Sequence, residues 1–245
     1  MENLIRTELL LGSRAIEKLK NSRVAVFGLG GVGGYCMEAL ARSGIGALDL
    51  IDGDRVAKSN LNRQILAIRS TIGMYKTDAA LSRIADIDPC ILVRTWPLFF
   101  TPETERQFDF SAYDFIVDAV DMVTAKLLLI KRAAEESVPI ISCMGAGNKL
   151  DPSRFRVSDI SETSVCPLAR VMRKELRQRG IDHLPVVWSD EIPREPCSLE
   201  NYVPEESKRR ATPGSTAFVP GVAGLILAGY VVRELTRGLI PEAKP

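Results

Sequence analysis

Short apolar runs alternate along this chain with stretches whose apolar positions recur every three to four residues. An apolar run at 24–27 leads into a glycine loop, and helical spacing follows over 34–43. Ala47–Ile51 is a second apolar run and stops at Asp52. Lys76–Ile87 sets Leu81, Ile84 and Ala85 on one helical face, while 91–96 and 115–120 read as strands. A helix is expected over 125–136, then a near-continuous apolar strand over 138–144, closed by the Gly145-Ala146-Gly147 turn. This alternation predicts an α/β fold, a Rossmann-like, doubly wound and mainly parallel sheet with helices on both faces. Beyond Leu150 the pattern loosens. A helix is expected within 161–180, and 185–204 reads as a proline-rich loop.

The 245 residues suffice for one sizeable domain, and 46% hydrophobic with 26% charged residues argues against disorder. Net charge is +1, so any surface for nucleic acid has to be local. The cysteines, Cys36, Cys90, Cys143, Cys166 and Cys197, are odd in number and have no CxxC spacing. That argues against a cysteine zinc cage and for a reducing, cytoplasmic compartment. The first 23 residues carry charges throughout and show no secretory core. Only 211–232 runs long without a charge. Pro213, Gly214, Ser215, Thr216 and Pro220 interrupt its first half, so no membrane span is expected. The remainder, from about Gly221, reads as a helix buried in the core or at a subunit interface.

Candidate chemistry begins at Gly28-Leu29-Gly30-Gly31-Val32-Gly33. Residues without a Cβ permit a tight turn and let backbone N–H groups approach a phosphate at a helix N-terminus. Asp52, at the end of the next strand, is placed to accept hydrogen bonds from ribose hydroxyls. This much suits NAD as well as ATP, and it suits glycines that serve only close packing. The residues that follow discriminate. Asp54, Asn60, Arg63 and Gln64 come just after the strand-two carboxylate, Lys76 follows Gly73, and Asp118 and Asp121 end a later strand. A pyrophosphate held by a dehydrogenase needs no such second cluster. Cleavage of ATP between its α- and β-phosphates does, with cations offsetting the triphosphate and an aspartate for Mg²⁺.

In this order the residues resemble the E1-like activating enzymes, a superfamily that includes the adenylyltransferases of sulfur-carrier proteins. The matching positions are the glycine loop, Asp52-x-Asp54, Asn60-x-x-Arg63-Gln64, Lys76 and Asp121, with Arg6 upstream in "RTELLLG". From about Arg6 to Gly238 the chain looks most like the subgroup of tRNA threonylcarbamoyladenosine dehydratases. "SNLNRQILAIRSTIGMYK" and "MGAGNKLDPSRFRVSDISETSVCPLARVMRKELRQRG" carry that likeness. The resemblance implies one E1-like adenylation domain over 1–245, with a nucleotide core at about 20–150. It gives the C-terminal extension, about 151–245, to substrate and dimer contacts. It further implies ATP and Mg²⁺ as cofactors, a tRNA substrate and a homodimer. Adenylation of the threonylcarbamoyl carboxylate would be followed by ring closure and net loss of water. Arg63, Lys76 and Asp121 would be catalytic, Asp121 holding Mg²⁺, and Arg6 would reach the ATP of the partner subunit. Gly28, Gly30, Gly31, Gly33, Asp52, Asp54, Asn60, Gln64 and Asp118 would complete the nucleotide site. Some members of the subgroup work with a cysteine-desulfurase and sulfur-acceptor system.

A tRNA substrate needs a basic surface, and Arg170, Arg173, Lys174 and Arg177 lie at helical spacing on one face. Lys208, Arg209 and Arg210 add a second run. A solvated helix face is the plainer account of such spacing. Larger members of the superfamily carry a cysteine that takes over the activated carboxylate, and Cys166 is the candidate by position, although ring closure needs no enzyme nucleophile. Cys143 reads as core packing, Cys197 lies in the proline-rich loop, and His183 reads as a surface or loop residue. Two other readings stay open: activation of a ubiquitin-like sulfur carrier, and an NAD-dependent oxidoreductase. The absent zinc cysteines weigh against the first, and Arg63, Lys76 and Asp121 against the second.

Overall fold

The computed structural model describes residues 2–198 and 213–241. Two short helices, α1 (Ile5–Leu11) and α2 (Ser13–Lys20), lead into β1 (Arg23–Phe27), α3 (Gly33–Arg42) and β2 (Ala47–Ile51). Then come α4 (Lys76–Ile87), β3 (Leu92–Trp96), β4 (Phe115–Asp118), α5 (Val123–Glu135) and β5 (Ile140–Cys143). The chain ends with β6 (Phe155–Asp159), α6 (Pro167–Arg177), β7 (Pro185–Ser189) and α7 (Phe218–Leu235).

The strands form one sheet in the order β3-β2-β1-β4-β5-β7-β6. Neighbours pair in parallel except β6, which runs antiparallel to β7. Strands covered on both faces need apolar side chains at every position, and β2 and β4 are buried throughout. Val24 and Val26 of β1 point into a core with α3, α4 and α7, while Ala25 and Phe27 meet an aromatic cluster and α5 on the other face. The one acidic residue inside β2, Asp49, is matched by Arg23 at 2.6 Å, Trp96 Nε1 at 3.0 Å and the Tyr113 hydroxyl at 3.3 Å. That is the condition on which a buried charge is tolerated.

The fold is the doubly wound, mainly parallel sheet that the alternation predicts. The loop reading of 185–204 is corrected at its start, because Pro185–Ser189 is β7, buried from Val186 onward. Pro185 opens the strand, a position where the missing N–H costs no ladder bond. The antiparallel edge strand β6 has only Phe155 fully buried, so its apolar alternation is faint in the sequence. Pro220 sits in the first turn of α7 rather than before it, where a helix has no use for that N–H.

By length and composition α7 could cross a membrane, and half of it is buried in this fold. It lies so close to α3 that a Cβ on Gly224 would stand 2.2 Å from Val32 O and 3.0 Å from Cys36 N. Gly229, exposed on the same helix, has open space where its Cβ would be. Gly224→Ala is therefore expected to destabilise the protein by about 1–3 kcal/mol through overpacking. Gly229→Ala should stabilise it by about 0.5–1 kcal/mol through helix propensity alone. Urea melts of the two variants check this, and equal midpoints would mean that α7 does not pack on α3 as described.

Candidate active site

Strand order reverses between β1, which continues to β2 and β3, and β4, which continues to β5. Open α/β sheets bind ligands beyond the carboxyl ends of the strands at such a switch point. Here a cavity of about 490 Å³ opens there, within the range of small-molecule and cofactor sites. Gly28, Gly30, Gly31, Asp52, Asp54, Asn60, Arg63, Gln64, Lys76 and Asp121 all line it.

The glycine loop is built by close backbone approach. Gly28 has φ +89°, and a Cβ on it would lie 2.7 Å from Ala119 O. Gly33 opens α3 without lining the cavity, because a Cβ there would fall 1.7 Å from Gly28 O. Its part is to let helix and loop touch. Gly30 has nothing within 4 Å of the Cβ position, which leaves open space before the N-terminus of α3, where the helix dipole favours an anion.

Asp52 is buried and ties this loop to its surroundings. Its Oδ2 accepts from Leu29 N at 2.7 Å and Lys76 Nζ at 3.3 Å, and its Oδ1 accepts from Asp54 N at 2.8 Å. A carboxylate offers about four lone-pair sites, so one acceptor position remains for a ligand hydroxyl. Lys76, itself buried at the start of α4, also donates to Asp54 Oδ2 at 2.7 Å and keeps one donor spare.

Across the cavity, Asn60 Oδ1 accepts from Ala57 N at 3.0 Å and holds the turn that carries Arg63 and Gln64. Arg63, which lines the cavity, donates through Nη1 to Ser59 O at 2.7 Å and Asn62 Oδ1 at 2.9 Å, and these two bonds use only part of its five donors. Gln64 Oε1 is buried with no hydrogen-bond partner. A buried acceptor beside a cavity and left unpaired is a position that a ligand can satisfy.

Two carboxylates of one motif part company. Asp121 is exposed at the rim of the cavity. Asp118, expected beside it as a nucleotide contact, is fully buried and absent from the lining. Its Oδ2 takes Lys126 Nζ at 3.0 Å and Ser142 Oγ at 2.5 Å, and Lys126 also donates to Cys143 O at 2.7 Å. The pair lies under the cavity floor and joins β4, β5 and α5.

The motif reading missed an apolar wall of Leu98, Phe99 and Phe100 beyond β3, with the Phe99 ring across the backbone of Gly53. It also missed Ala146, Gly147, Pro213, Ser215 and Pro220. The sequence signal for the wall was "PLFF" at the end of a strand, where ligands of such sheets sit.

Further from the cavity, Arg170, Arg173, Lys174 and Arg177 do share one face of α6 and border a shallow groove of about 480 Å³. Arg173 is anchored there by hydrogen bonds to the carbonyl and hydroxyl of Thr163. Lys208, Arg209 and Arg210 lie outside the described residues. Arg6 is exposed on α1 and does not line the cavity of its own chain. Cys166 is buried in an apolar cluster with Ala169 and Met172, also away from the lining. Burial pushes the Cys143 thiol up to about 12, in keeping with core packing, and His183 is a loop residue with its side chain 88% exposed.

A parallel sheet with this cleft, closed by a C-terminal helix against α3, is the E1-like fold, and the chain belongs to the ThiF family, which it matches over residues 2–243. It is 45% identical over 240 residues to the tRNA threonylcarbamoyladenosine dehydratase of Bacillus subtilis, covering 96% of this chain and 94% of the relative. The protein of the same name from Escherichia coli is 37% identical over 171 residues, 70% of this chain and 64% of its own. The crystal structure of the E. coli enzyme in complex with ATP superposes with a TM-score of 0.84 at 30% identity, covering 96% and 93% of the two chains.

The buried pair under the cavity gives a direct test of the geometry. Lys126→Met leaves Asp118 charged and unpaired in the core, which should cost about 3–5 kcal/mol in a denaturant titration. Adding Asp118→Asn should recover much of that loss, since the stranded charge is gone. A single variant as stable as the parent would refute the pairing.

Proposed function

We infer that this chain uses ATP to dehydrate N6-threonylcarbamoyladenosine in tRNA to its cyclic form. The observation that carries the reading is the end-to-end match, at 45% identity, to a relative of that name. The cleft has the chemistry the reaction needs. The threonylcarbamoyl carboxylate attacks the α-phosphorus of ATP, the bond to the β-phosphate oxygen breaks, and pyrophosphate leaves. A nucleophilic atom of the same side chain then attacks the acyl carbon of the mixed anhydride. AMP departs with the former carboxylate oxygen, and the ring closes with net loss of water.

Several lining residues take a part in this scheme. The open backbone before α3 receives phosphate, and the free acceptor position of Asp52 receives a ribose hydroxyl. Leu98, Phe99 and Phe100 offer the apolar surface that suits a purine. Arg63 and the spare donor of Lys76 offset charge on the leaving pyrophosphate. Among the described residues no group of three or more metal-ligating side chains exists. A lone rim carboxylate suits Mg²⁺, which keeps several waters and binds through one or two carboxylates plus substrate phosphates. Asp121 would hold that ion, which when bound supplies positive charge at the phosphates.

The remaining roles belong to the assembly. The stripe of Arg170, Lys174 and Arg177 on α6, with Arg173, meets tRNA phosphates, which a net charge of +1 leaves to a local surface. On α1, Leu9 is 83% and Leu10 75% exposed, an apolar face suited to burial in a homodimer that carries Arg6 to the partner's triphosphate. The compartment is cytoplasmic, where tRNA and ATP meet.

Incubation with ATP, Mg²⁺ and threonylcarbamoyl-modified tRNA should yield a nucleoside lighter by one water, together with AMP. Asp121→Ala should abolish that product without changing the thermal melt. A mass unchanged for the parent protein would sink the reading.

Sharing of the site is tested by mixing Arg6→Ala with Asp121→Ala subunits, each inactive alone. Random pairing puts one intact site in each mixed dimer, so activity should return to about a quarter of the parent's. No recovery after proven subunit exchange would confine Arg6 to its own chain.

A further inference from the structure

A short strap, residues 213–216, runs into α7 and borders the cavity with Pro213 and Ser215. It is pinned at two successive residues from two sides. Asn148, just past the Gly145-Ala146-Gly147 turn, donates its backbone N–H to Gly214 O at 2.8 Å and accepts from Gly214 N through Oδ1 at 2.6 Å. From the opposite side, Asn62 Nδ2 donates to Ser215 O at 3.0 Å, while its Oδ1 accepts from Arg63. Pro213 presses so closely on Gly147 that a Cβ there would lie 2.8 Å from the proline ring. Asn148 has φ +60°, in the left-handed region that asparagine enters more readily than most residues. Its backbone and side chain thus make one clamp, and the clamp links the β5 turn to the segment that carries Arg63.

The function inferred above creates a need for such a clamp. An acyl adenylate in water hydrolyses to AMP and the original carboxylate, and the ATP is lost. Ring closure within the substrate competes with that reaction, so the site must keep water from the acyl carbon. We propose that Asn148 is a positioning residue for the second half-reaction, holding the strap over the cavity with Asn62 so that the adenylate cyclises instead of hydrolysing. The proposal rests on the dehydratase reading. It adds that coupling of ATP use to product depends on these two asparagines, neither of which touches the reacting atoms.

The readout is the ratio of AMP formed to cyclised nucleoside formed, measured on the full chain with ATP, Mg²⁺ and threonylcarbamoyl-modified tRNA. Asn148→Gly keeps the backbone conformation and removes the side-chain bond. Asn62→Asp keeps the acceptor for Arg63 and removes the donor to Ser215. Each should raise the ratio about two- to tenfold, the factor that corresponds to loss of a hydrogen bond of ordinary strength. Asn148→Asp, which retains the acceptor for Gly214 N–H and tolerates the backbone angle, should keep the parent ratio. If AMP and product fall together in Asn148→Gly and Asn62→Asp, with the ratio unchanged, the proposal is overturned and the strap is merely structural. A parent protein that makes AMP but no cyclised nucleoside overturns the dehydratase reading, and this proposal with it.

Discussion

Two distant segments and its own turn meet at the carboxylate of Asp52. It receives the backbone N–H of Leu29 from the glycine loop, that of Asp54 from its own turn, and the ammonium of Lys76 from α4. Loss of this one group would leave two N–H donors unmatched and a buried lysine with only Asp54, which is more than half exposed to water. An amide in its place could accept at only one atom and would carry no charge. The position of the loop relative to β2, and so the shape of the cavity, depends on that acidic side chain. Its role in the fold precedes any contact with a nucleotide.

A second carboxylate works in the same way one layer down. Asp118 and Lys126 are both fully buried, and Ser142 and the carbonyl of Cys143 complete the lysine's partners. A buried ion pair gives little net stability over apolar side chains of the same shape. What it gives here is geometry. β4 ends at this pair, and the chain turns through Ala119 and Val120, so that Asp121 emerges at the cavity rim. One of the two acids in "VDAVD" therefore holds the turn that presents the other.

That division explains what was legible in the sequence. The bounds of Ala47–Ile51 and Lys76–Ile87 were readable because Asp52 and Asp88 close them, but the face read for the helix was not the covered one. Ile84 is buried with Thr77, Ala79 and Ala80, while Leu81 and Ala85 are exposed. The place of Asp118 was not readable, because an acid at a strand end looks alike whether it faces a ligand or a lysine in the next helix. The clue was Lys126 itself, a lone charge in the otherwise apolar stretch "AKLLLI" of α5. Pro185 hid β7 for a related reason, since a proline that opens a strand is written like one that interrupts a loop. Strand β6 lies at the sheet edge with one buried residue, and half-covered strands leave a weak imprint.

A glycine loop and a strand-end acid do not by themselves choose among nucleotides, because tight turns and such an acid suit any phosphate and ribose. The residues that discriminate, Arg63, Lys76 and Asp121, were legible by their order along the chain, but the wall that faces them is brought together only by folding. Leu98, Phe99 and Phe100 come from the segment after β3, Gly147 from the turn after β5, and Pro213 and Ser215 from the approach to α7. Motif order reached Lys76 and Asp121, well beyond the first βαβ unit, but it did not reach the facing wall. Part of that wall is pinned by a hydrogen bond between Asn62 and Ser215, a separation of 153 positions. Contacts of that range leave no local period, so the discriminating residues could be read along the chain and the wall that faces them had to be seen in the fold.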